Sequence, residues 1–497
     1  MMRRLLLGVS SLAAALVVTT TAPGCGSDDG VDDDGGTSSG GNGDAGCTGF
    51  GCTSNEGGKP GCVGLQCQQV DCEGGGKTTL TGTVLDPAGK VPIFNATVYV
   101  PNKEPDAIKE GATSCDRCDP VTGSPVVVTA TNTEGKFVLE NVPVGENIPL
   151  VVQIGKWRRK VTIPSVAKCT ATAADANLTR LPRNRTEGNI PRMALTTGGA
   201  DPLQCLLRKI GIDDSEFGVA GSDARIHLYK GSGYDDGAPH PPSGAFKASL
   251  NGGAAFPNAA TLWSDKANLQ KYDVVLLSCE GGENEAAPGA EKAQAAKDAM
   301  YDYAAGGGRI FASHYHYVWF SKTSNTTVKG VASWSVPEKA PPAIPALPRE
   351  TGVKSDISTA FPKAVAMNEW LTKQNALEGG KLPIYDARHD IDGVSASALS
   401  WITAPKSTTL PAGTPNPVQY MSFNTPVGAA EDKVCGRVVV SDIHVAAQAG
   451  NPDNPAAPFP DGCVSTDLTA QQKALEFMLF DLSSCVQKDD DAIVPPR

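Results

Sequence analysis

The stretch Gly306-Gly-Gly-Arg-Ile-Phe-Ala-Ser-His-Tyr-His-Tyr317 decides the fold class of this chain. A glycine-rich turn leads into a short apolar run, and the run ends in two histidines set among tyrosines. A short apolar run after a turn is typical of a strand buried on both faces, as strands of parallel sheets are. Because ligands of open α/β sheets bind at the carboxyl ends of the strands, the histidines are candidate functional residues.

Strand-like and helical segments alternate around this stretch. The strand-like runs are 192–196, 225–229, 272–277, 309–313 and 437–441, and the helical runs are 201–210, 289–305 and 360–377. A last helix begins near Thr469, which forms a capping box with Gln472. Its apolar residues share one face: Leu475, Met478, Leu479 and Leu482. This alternation predicts an α/β domain over residues 190–486, with a mainly parallel sheet covered by helices on both faces.

Residues 77–180 alternate instead with the period of a strand. Short runs at 79–84, 96–100, 126–130, 136–139 and 149–154 are separated by turn-forming residues. Several short strands with turns between them predict a small β-sandwich that precedes the α/β domain, so the chain is expected to be multidomain.

The sandwich segment resembles the carboxypeptidase regulatory-like domain. The matching pieces are Gly82-Thr-Val-Leu-Asp86, Gly89 with Pro92, Ala96-Thr-Val98, Asn132-Thr-Glu-Gly-Lys-Phe137 and Asn141-Val-Pro-Val-Gly145. The segment departs from that pattern by an insertion at 101–125, which carries Cys115 and Cys118. Such domains are usually accessories without catalysis, so the resemblance implies presentation or binding.

The amino terminus indicates export. Met1-Met-Arg-Arg4 precedes an apolar run at 5–18 that is shorter than the roughly 20 residues of a membrane span, which predicts a signal peptide over 1–24. The following Gly24-Cys25 resembles a bacterial lipoprotein cleavage site, which implies that Cys25 is lipidated and anchors the chain to a bacterial membrane. The alternative is ordinary cleavage and release. Both place the mature protein outside the cytoplasm, and the expected location is the cell envelope.

Composition organises the rest of the chain. Residues 25–46 are a Gly/Ser/Asp-rich flexible linker, 47–76 a cysteine-rich segment, and 487–497 a disordered tail. The chain has 14 cysteines, and 13 remain when Cys25 is set aside. Because an exported protein is oxidised, we expect these cysteines to form disulfides. Since 13 is odd, at least one thiol is expected to be free or bonded to another molecule. The eight cysteines from Cys47 to Cys169 could pair among themselves. A formal net charge of −11 argues against a nucleic-acid partner.

Two candidate positions follow the first and third strands. Cys279 and Glu280 follow the run at 272–277, where a cysteine on a sharp turn could be an exposed nucleophile if a histidine lies nearby. The alternative is a buried or disulfide-bonded cysteine. Asp201 follows the run at 192–196 and either contacts a ligand or caps the next helix.

The histidines allow three interpretations. The spacing of His314 and His316 suits some metal sites. The aromatic residues around them suit a carbohydrate-binding or packing cluster: Tyr315, Tyr317 and Trp319. Buried structural histidines are the third interpretation. The pairs in 386–390 and 442–444 add aspartates that can orient an imidazole, although both motifs are short.

The order of these pieces resembles the trehalose-utilisation (ThuA-like) branch of the class I glutamine amidotransferase-like fold. The resemblance rests on Tyr272-Asp-Val-Val-Leu-Leu277, on Gly307-Gly308 before the strand that ends at His314, and on Gly436-Arg-Val438 before His444. It implies the fold and a sugar-related ligand. Because the amidotransferase cysteine position carries Ser313-His314 here, the resemblance does not imply amidotransferase catalysis.

These observations give one primary hypothesis and two alternatives. The α/β domain is expected to bind a carbohydrate or a related small polar ligand; alternatively it is a cysteine- or histidine-dependent hydrolase, or a structural envelope protein with a degenerate site. The candidate catalytic residues are Cys279, His314 and His444. The candidate ligand-binding residues are His316, Tyr315, Tyr317, Trp319, Asp201 and Glu280. No metal or cofactor is expected, and His314, His316 and His444 are expected to converge.

Overall fold

A computed structural model describes residues 61–113, 115, 117–118, 120–335, 352–408, 410–445 and 453–487. These residues all belong to one compact unit that spans Thr53–Arg497. The predictions for the signal peptide, the linker, Cys25, Cys47, Cys52 and the tail from 488 lie outside the described residues. Within the described ranges, none of the helices has both the length and the apolar character of a membrane span.

The first part of the described chain forms two small sheets. Its strands are β1 Thr79–Thr83, β2 Thr97–Pro101, β3 Pro125–Ala130, β4 Lys136–Glu140, β5 Gly145–Ile154, β6 Trp157–Val166 and β7 Ala171–Ala173, followed by the short helix α1 Ala176–Thr179. The sheet orders are β4-β1-β7 and β3-β2-β5-β6. Leu80 and Phe137 of one sheet share a buried core with Val98 and Val152 of the other. The long strand β6 had no counterpart among the predicted runs.

The second part is built around a ten-stranded sheet. Its strands and those of two small hairpins are β8 Met193–Thr197, β9 Phe217–Gly218, β10 Ile226–Lys230, β11 Tyr234–Asp235, β12 Pro239–His240, β13 Val274–Leu277, β14 Arg309–Ser313, β15 Ala332–Trp334, β16 Val353–Ile357, β17 Leu382–Ile384, β18 Ile391–Val394, β19 Ala398–Thr403, β20 Val418–Thr425 and β21 Gly436–Ser441. The helices are α2 Leu203–Lys209, α3 Ala260–Trp263, α4 Lys266–Leu269, α5 Gln294–Ala305, α6 Val318–Ser321, α7 Thr326–Lys329, α8 Pro362–Lys373 and α9 Ala470–Ser483.

The ten-stranded sheet is mixed, which corrects the expectation of a mainly parallel one. Its order is β17-β16-β19-β20-β21-β14-β13-β8-β10-β9. The strands from β21 to β9 are parallel, whereas β17, β16, β19 and β20 are joined to one another and to β21 by antiparallel pairing. Antiparallel neighbours need no crossover helix, so β18 to β21 follow one another without an α-helix and do not show the strand–helix alternation that the sequence pattern detects.

Both faces of the large sheet are buried. In β13, Leu276 packs into a core that also contains Leu206 of α2 and Leu475 of α9. Val275 packs into a second core with Met300 of α5. Neighbouring residues of a strand point to opposite faces, so helices cover the sheet on both sides.

Helix α9 connects the small sheets to the large one. Its predicted capping box is confirmed, since Thr469 Oγ1 accepts from Gln472 N at 3.3 Å and Gln472 Oε1 accepts from Thr469 N at 3.1 Å. Phe477 of this helix stacks on Phe94 with ring centroids 5.9 Å apart, and Phe480 meets Trp157 edge-on at 5.6 Å. The two halves of the described chain therefore share one core.

Five disulfides cross-link the described residues: Cys62–Cys67, Cys72–Cys169, Cys115–Cys435, Cys118–Cys485 and Cys205–Cys463. Disulfides at this density indicate an oxidising environment outside the cytoplasm. The expectation that the cysteines up to Cys169 could pair internally is wrong for Cys115 and Cys118, because the insertion that carries them is linked to the carboxyl-terminal part of the chain. Within the described ranges, the free thiol is Cys279.

Candidate functional site

The site lies at the point where the order of the parallel strands reverses. The chain leaves β8 through α2 and adds β9 and β10 on one side, then adds β13 and β14 on the other side of β8. The carboxyl ends of β8 and β13 therefore border the crevice in which ligands of open α/β sheets bind. Cys279 follows β13, His314 follows β14 and His444 follows β21, so these three residues leave three neighbouring strands at the same edge.

The structure brings together the three residues predicted as catalytic. The Sγ atom of Cys279 lies 3.6 Å from Nδ1 of His314. One ring nitrogen of His444 completes a set of three donor atoms that all lie within 4.8 Å of one another. The rings of His314 and His444 have centroids 5.1 Å apart, although the two residues are far apart in sequence. All three side chains are buried.

A carboxylate approaches the other side of the His314 imidazole. Nε2 of His314 lies 2.9 Å from Oδ2 of Asp390, which is at ion-pair distance. The imidazole thus stands between a thiol and a carboxylate, the order of groups in a nucleophile–base–acid triad. Asp390 was not among the predicted site residues. The only sequence signal was the motif at 386–390, but its adjacent His389 pairs with Asp392 instead, at 2.8 Å.

Backbone contacts hold Cys279 in place. The amide of Gly281 donates to the Cys279 sulfur at 3.4 Å, and the carbonyl of Cys279 accepts from Ala200 N at 3.1 Å. The loop after β8 comes so close that a Cβ on Gly198 would lie 2.1 Å from the Cys279 carbonyl oxygen. A side chain at position 198 would therefore displace the cysteine loop.

Burial controls the protonation of the thiol. Desolvation raises the pKa of Cys279 well above its usual range, and the nearby carboxylate of Asp201 raises it further. Asp442 lies beside Asp390, and its pKa is likewise raised, first by burial and then by the charge of Asp390. The free protein therefore holds a neutral thiol on one side of the His314 imidazole and the carboxyl pair of Asp390 and Asp442 on the other side.

Asp201 ties strand ends together rather than capping a helix. The N-cap position of α2 is Pro202, without a side-chain cap, so the helix-cap interpretation of Asp201 is wrong. Its carboxylate accepts from Val445 N at 2.8 Å and from Ser313 Oγ at 3.3 Å. It thus joins the loop after β8 to the ends of β14 and β21, next to His314 and His444.

Glu280 points away from the donor cluster into a buried ion pair. Its Oε2 lies 2.7 Å from Lys292 Nζ, and both side chains are 1% exposed. Its Oε1 accepts from Ser232 N at 3.2 Å. These partners give Glu280 a supporting position under the Cys279 turn.

His316 and Trp319 are buried, and they form hydrogen bonds within the protein. Nε2 of His316 donates to the Ser278 carbonyl at 2.8 Å, and its Nδ1 accepts from Trp319 Nε1 at 3.0 Å. Trp319 packs edge-on against Trp263, with centroids 5.0 Å apart. Both ring nitrogens of His316 are thus used, and the pair holds the backbone immediately before Cys279. Among the expected interpretations, the geometry favours a structural histidine at 316.

The two tyrosines lie nearer the donor cluster. Tyr315 adopts a positive φ of 68° directly after β14, and its half-buried ring lies 3.9 Å from the His314 ring between centroids. Tyr317 lies 6.5 Å from the same ring and donates through its hydroxyl to Glu283 at 3.2 Å. Tyr315 is therefore the aromatic residue placed to contact a ligand at His314.

Comparisons with known proteins do not identify the site. No family model matches the chain, and no curated protein matches it. A type II cohesin–X-dockerin complex from Acetivibrio cellulolyticus aligns at 14% identity over 30% of this chain and 78% of that chain, with a TM-score of 0.15. A cytoplasmic protein from Salmonella typhimurium aligns at 13% identity over 58% of this chain and 98% of its own, with a TM-score of 0.28. Scores this low support no argument about fold or function.

Proposed function

We propose that this protein is an exported hydrolase of the bacterial cell envelope, with its active centre at Cys279, His314, His444 and Asp390. The observation that carries the proposal is the position of the His314 imidazole between the Cys279 thiol and the Asp390 carboxylate. One thiol, two imidazoles and one carboxylate converge there from separate strands and loops. Structural packing alone does not require that arrangement at a switch point.

Each residue has a distinct role in the proposed reaction. Asp390 orients His314 and stabilises its protonated form. His314 acts as the general base that takes a proton from the attacking group, which is the Cys279 thiol or a water molecule beside it. It then acts as the acid that gives this proton to the leaving group when the bond between that group and the substrate breaks. His444 and the amide of Gly281 face the same small volume as the thiol, so they support the charge that develops there.

The proposed substrate is a carbohydrate or a related small polar molecule. The half-buried ring of Tyr315 beside His314 supplies an apolar face with a polar tip, which suits a sugar ring. The resemblance of residues 190–486 to ThuA-like proteins supports the same class. Pure binding without turnover is the competing function, and it predicts affinity for a sugar without any product.

The remaining chain supports an envelope location. Residues 77–180 resemble a carboxypeptidase regulatory-like accessory domain, and we propose that they present the α/β domain of 190–486 at the surface. The proposed lipid at Cys25 anchors the chain to a membrane, with each buried CH₂ of an acyl chain contributing about 0.8 kcal/mol. The disulfides among the described residues fit this location.

A substrate panel tests the proposed function. The full chain is incubated with nitrophenyl glycosides, acylated sugars and simple esters, and the same reactions are run with His314→Gln. We expect hydrolysis of at least one class, reduced about 10²- to 10⁴-fold in the variant because the general base is lost.

His227→Gln is the matched control, because His227 lies on β10 away from the donor cluster and bonds Tyr272 at 2.8 Å. It should retain the wild-type rate. Equal rates for wild type and His314→Gln on every hydrolysed substrate would remove His314 from the mechanism. Sugar binding without any hydrolysis would favour the competing function.

A further inference from the structure

We propose that Cys279, His314 and His444 bind a single Zn²⁺ ion, with the fourth coordination position open to water or substrate. The inference rests on the proposed function for its purpose, since it names the cofactor of the same site, but its evidence is the geometry of three side chains. It departs from the sequence-based expectation that no metal is bound.

The donor distances suit a tetrahedral ion. Zinc binds sulfur at about 2.3 Å and imidazole nitrogen at about 2.0–2.1 Å, so neighbouring sulfur and nitrogen ligands lie about 3.6 Å apart. The observed distance from Cys279 Sγ to His314 Nδ1 is 3.6 Å. Every pair of donor atoms in the set is within 4.8 Å. A small shift of the His444 ring would therefore bring all three donors to bonding distance.

The groups behind the donors are those that zinc ligands need. When His314 binds metal through Nδ1, its Nε2–H faces Asp390 Oδ2 at 2.9 Å. A carboxylate behind a metal-bound histidine fixes the tautomer and strengthens the ligand. The Gly281 amide, 3.4 Å from Cys279 Sγ, donates to the sulfur and would stabilise a thiolate ligand.

The surrounding charge favours a cation. Three buried or half-buried carboxyl groups lie beside the donors: Asp201, Asp390 and Asp442. Two cationic side chains lie in the same region. Arg388 pairs with Asp386 at 2.5 Å and its charge also acts on Cys279 and Asp442, and Lys292 pairs with Glu280 at 2.7 Å. The five carboxyl groups named in this paragraph outnumber the two cationic side chains, so the side-chain charges of the region would accommodate a divalent cation.

The ligand set also indicates which metal and which role. One sulfur and two imidazoles suit zinc and other thiophilic transition metals, whereas magnesium and calcium prefer oxygen ligands. Three protein ligands with an open position are typical of catalytic zinc, because structural zinc sites have four. With the ion bound, Cys279 and His314 would serve as its ligands, and the ion would supply Lewis-acid chemistry in place of the base role of His314. Asp390 and Asp442 would remain as the carboxyl groups able to accept a proton.

The first experiment measures metal in the wild-type chain. The full chain is produced by export in a bacterial host, purified without chelators and analysed by inductively coupled plasma mass spectrometry. About one zinc per chain is expected. After the zinc is removed and Co²⁺ is added, a thiolate-to-cobalt charge-transfer band and intense visible bands of four-coordinate cobalt are expected. Trace zinc together with a cobalt spectrum that lacks the thiolate band would overturn the inference.

Variants locate the ion. Cys279→Ser, His314→Gln and His444→Gln should each weaken zinc binding at least about tenfold, and Cys279→Ser should abolish the charge-transfer band. His240→Gln is the control, since His240 is exposed and pairs with Asp236. It should bind zinc like the wild type. Unchanged affinity in all three cluster variants would place the ion elsewhere and overturn the inference. If circular dichroism shows that a variant is misfolded, the cobalt spectrum of the wild type still decides whether the metal has a thiolate ligand.

The two proposals fail in different ways. Absence of bound zinc and of the thiolate-to-cobalt band, together with hydrolysis that iodoacetamide blocks at Cys279, would overturn the metal site and keep the proposed function with a thiol nucleophile. One zinc with the thiolate band, but no turnover of any substrate, would keep the metal site and overturn the proposed function.

Discussion

Two regions of the molecule bury titratable groups, and they use them differently. At the strand-end site, the thiol of Cys279, the imidazole of His314 and the carboxylate of Asp390 face one another from separate segments. At the junction between the small sheets and α9, the 1%-exposed Asp86 accepts from its own turn, from Lys90 N at 2.7 Å and Val91 N at 3.1 Å. Burial therefore does not mark a functional site, whereas convergence of unlike donors from distant segments does.

The largest expected effect comes from breaking the ion pair under the strand-end site. Lys292→Met leaves Glu280 buried without its cation, which should lower the free energy of unfolding by about 3–5 kcal/mol in urea titrations at pH 7. The double variant Lys292→Met/Glu280→Gln should recover part of this loss. Lys77→Met is the control, because the Lys77–Glu140 pair is exposed and should cost less than about 1 kcal/mol. If Lys292→Met lowered the free energy of unfolding as little as Lys77→Met, the buried ion pair would not contribute to stability as proposed.

The junction should respond to pH through Asp86. Burial raises the pKa of Asp86 from 3.8 to about 6, with Glu476 nearby, whose own pKa is raised by burial. The folded state then holds this proton more tightly than the unfolded state. Stability from this group is complete below about pH 4 and falls as pH rises to about 6, by roughly 3 kcal/mol in total.

Asp86→Asn keeps an acceptor for both backbone amides and removes the charge. The variant should therefore match the wild type near pH 3.5 and be more stable by up to about 3 kcal/mol at pH 8, measured by urea unfolding across pH. A wild-type advantage at pH 8 would mean that the folded protein favours the ionised carboxylate, contrary to the burial argument.

Two nearby aspartates, each beside a histidine, test whether the strand-end site is functional rather than structural. Asp390→Asn should reduce turnover, or zinc affinity, about 10- to 100-fold with little change in the unfolding midpoint, because it disturbs only the orientation of His314. Asp392→Asn removes the equivalent partner of His389 and should leave turnover unchanged. Comparable losses in the two variants would point to a general structural effect of this loop.

The smallest expected effect concerns the helix at the junction. Thr469→Ala removes the side chain that accepts from Gln472 N and should lower the free energy of unfolding by about 1 kcal/mol. Thr466→Ala, at an exposed position before the helix, should change it by less than about 0.5 kcal/mol. A cap variant indistinguishable from this control would show that packing alone fixes the start of α9.

The sequence correctly predicted features that depend mainly on residues close to one another in the chain. The run at 309–313 coincides with β14, and the capping box at Thr469 begins α9 as expected. The odd cysteine count predicted a free thiol, and Cys279 is the one found in the described ranges. Strand ends carrying Cys279, His314 and His444 were predicted because parallel strands present their carboxyl ends at one edge.

Features fixed by distant contacts could not be predicted in this way. Asp390 contacts His314, which is distant in sequence, whereas the adjacent His389 pairs with Asp392. The fold, and not the sequence spacing, sets this pairing. The disulfides of Cys115 and Cys118 span 320 and 367 residues, so no local pattern indicates their partners. The antiparallel half of the large sheet was missed because β19, β20 and β21 follow one another without an α-helix, and because the two strands that α8 separates, β16 and β17, pair antiparallel.

The most direct test is a crystal structure of the zinc-loaded protein with anomalous data collected on both sides of the zinc absorption edge. We predict one anomalous peak at about 2.3 Å from Cys279 Sγ and about 2.0–2.1 Å from a ring nitrogen of each of His314 and His444, with Asp390 behind His314. A map without a peak between these three donors, or with zinc bound only elsewhere on the protein, would contradict the metal centre.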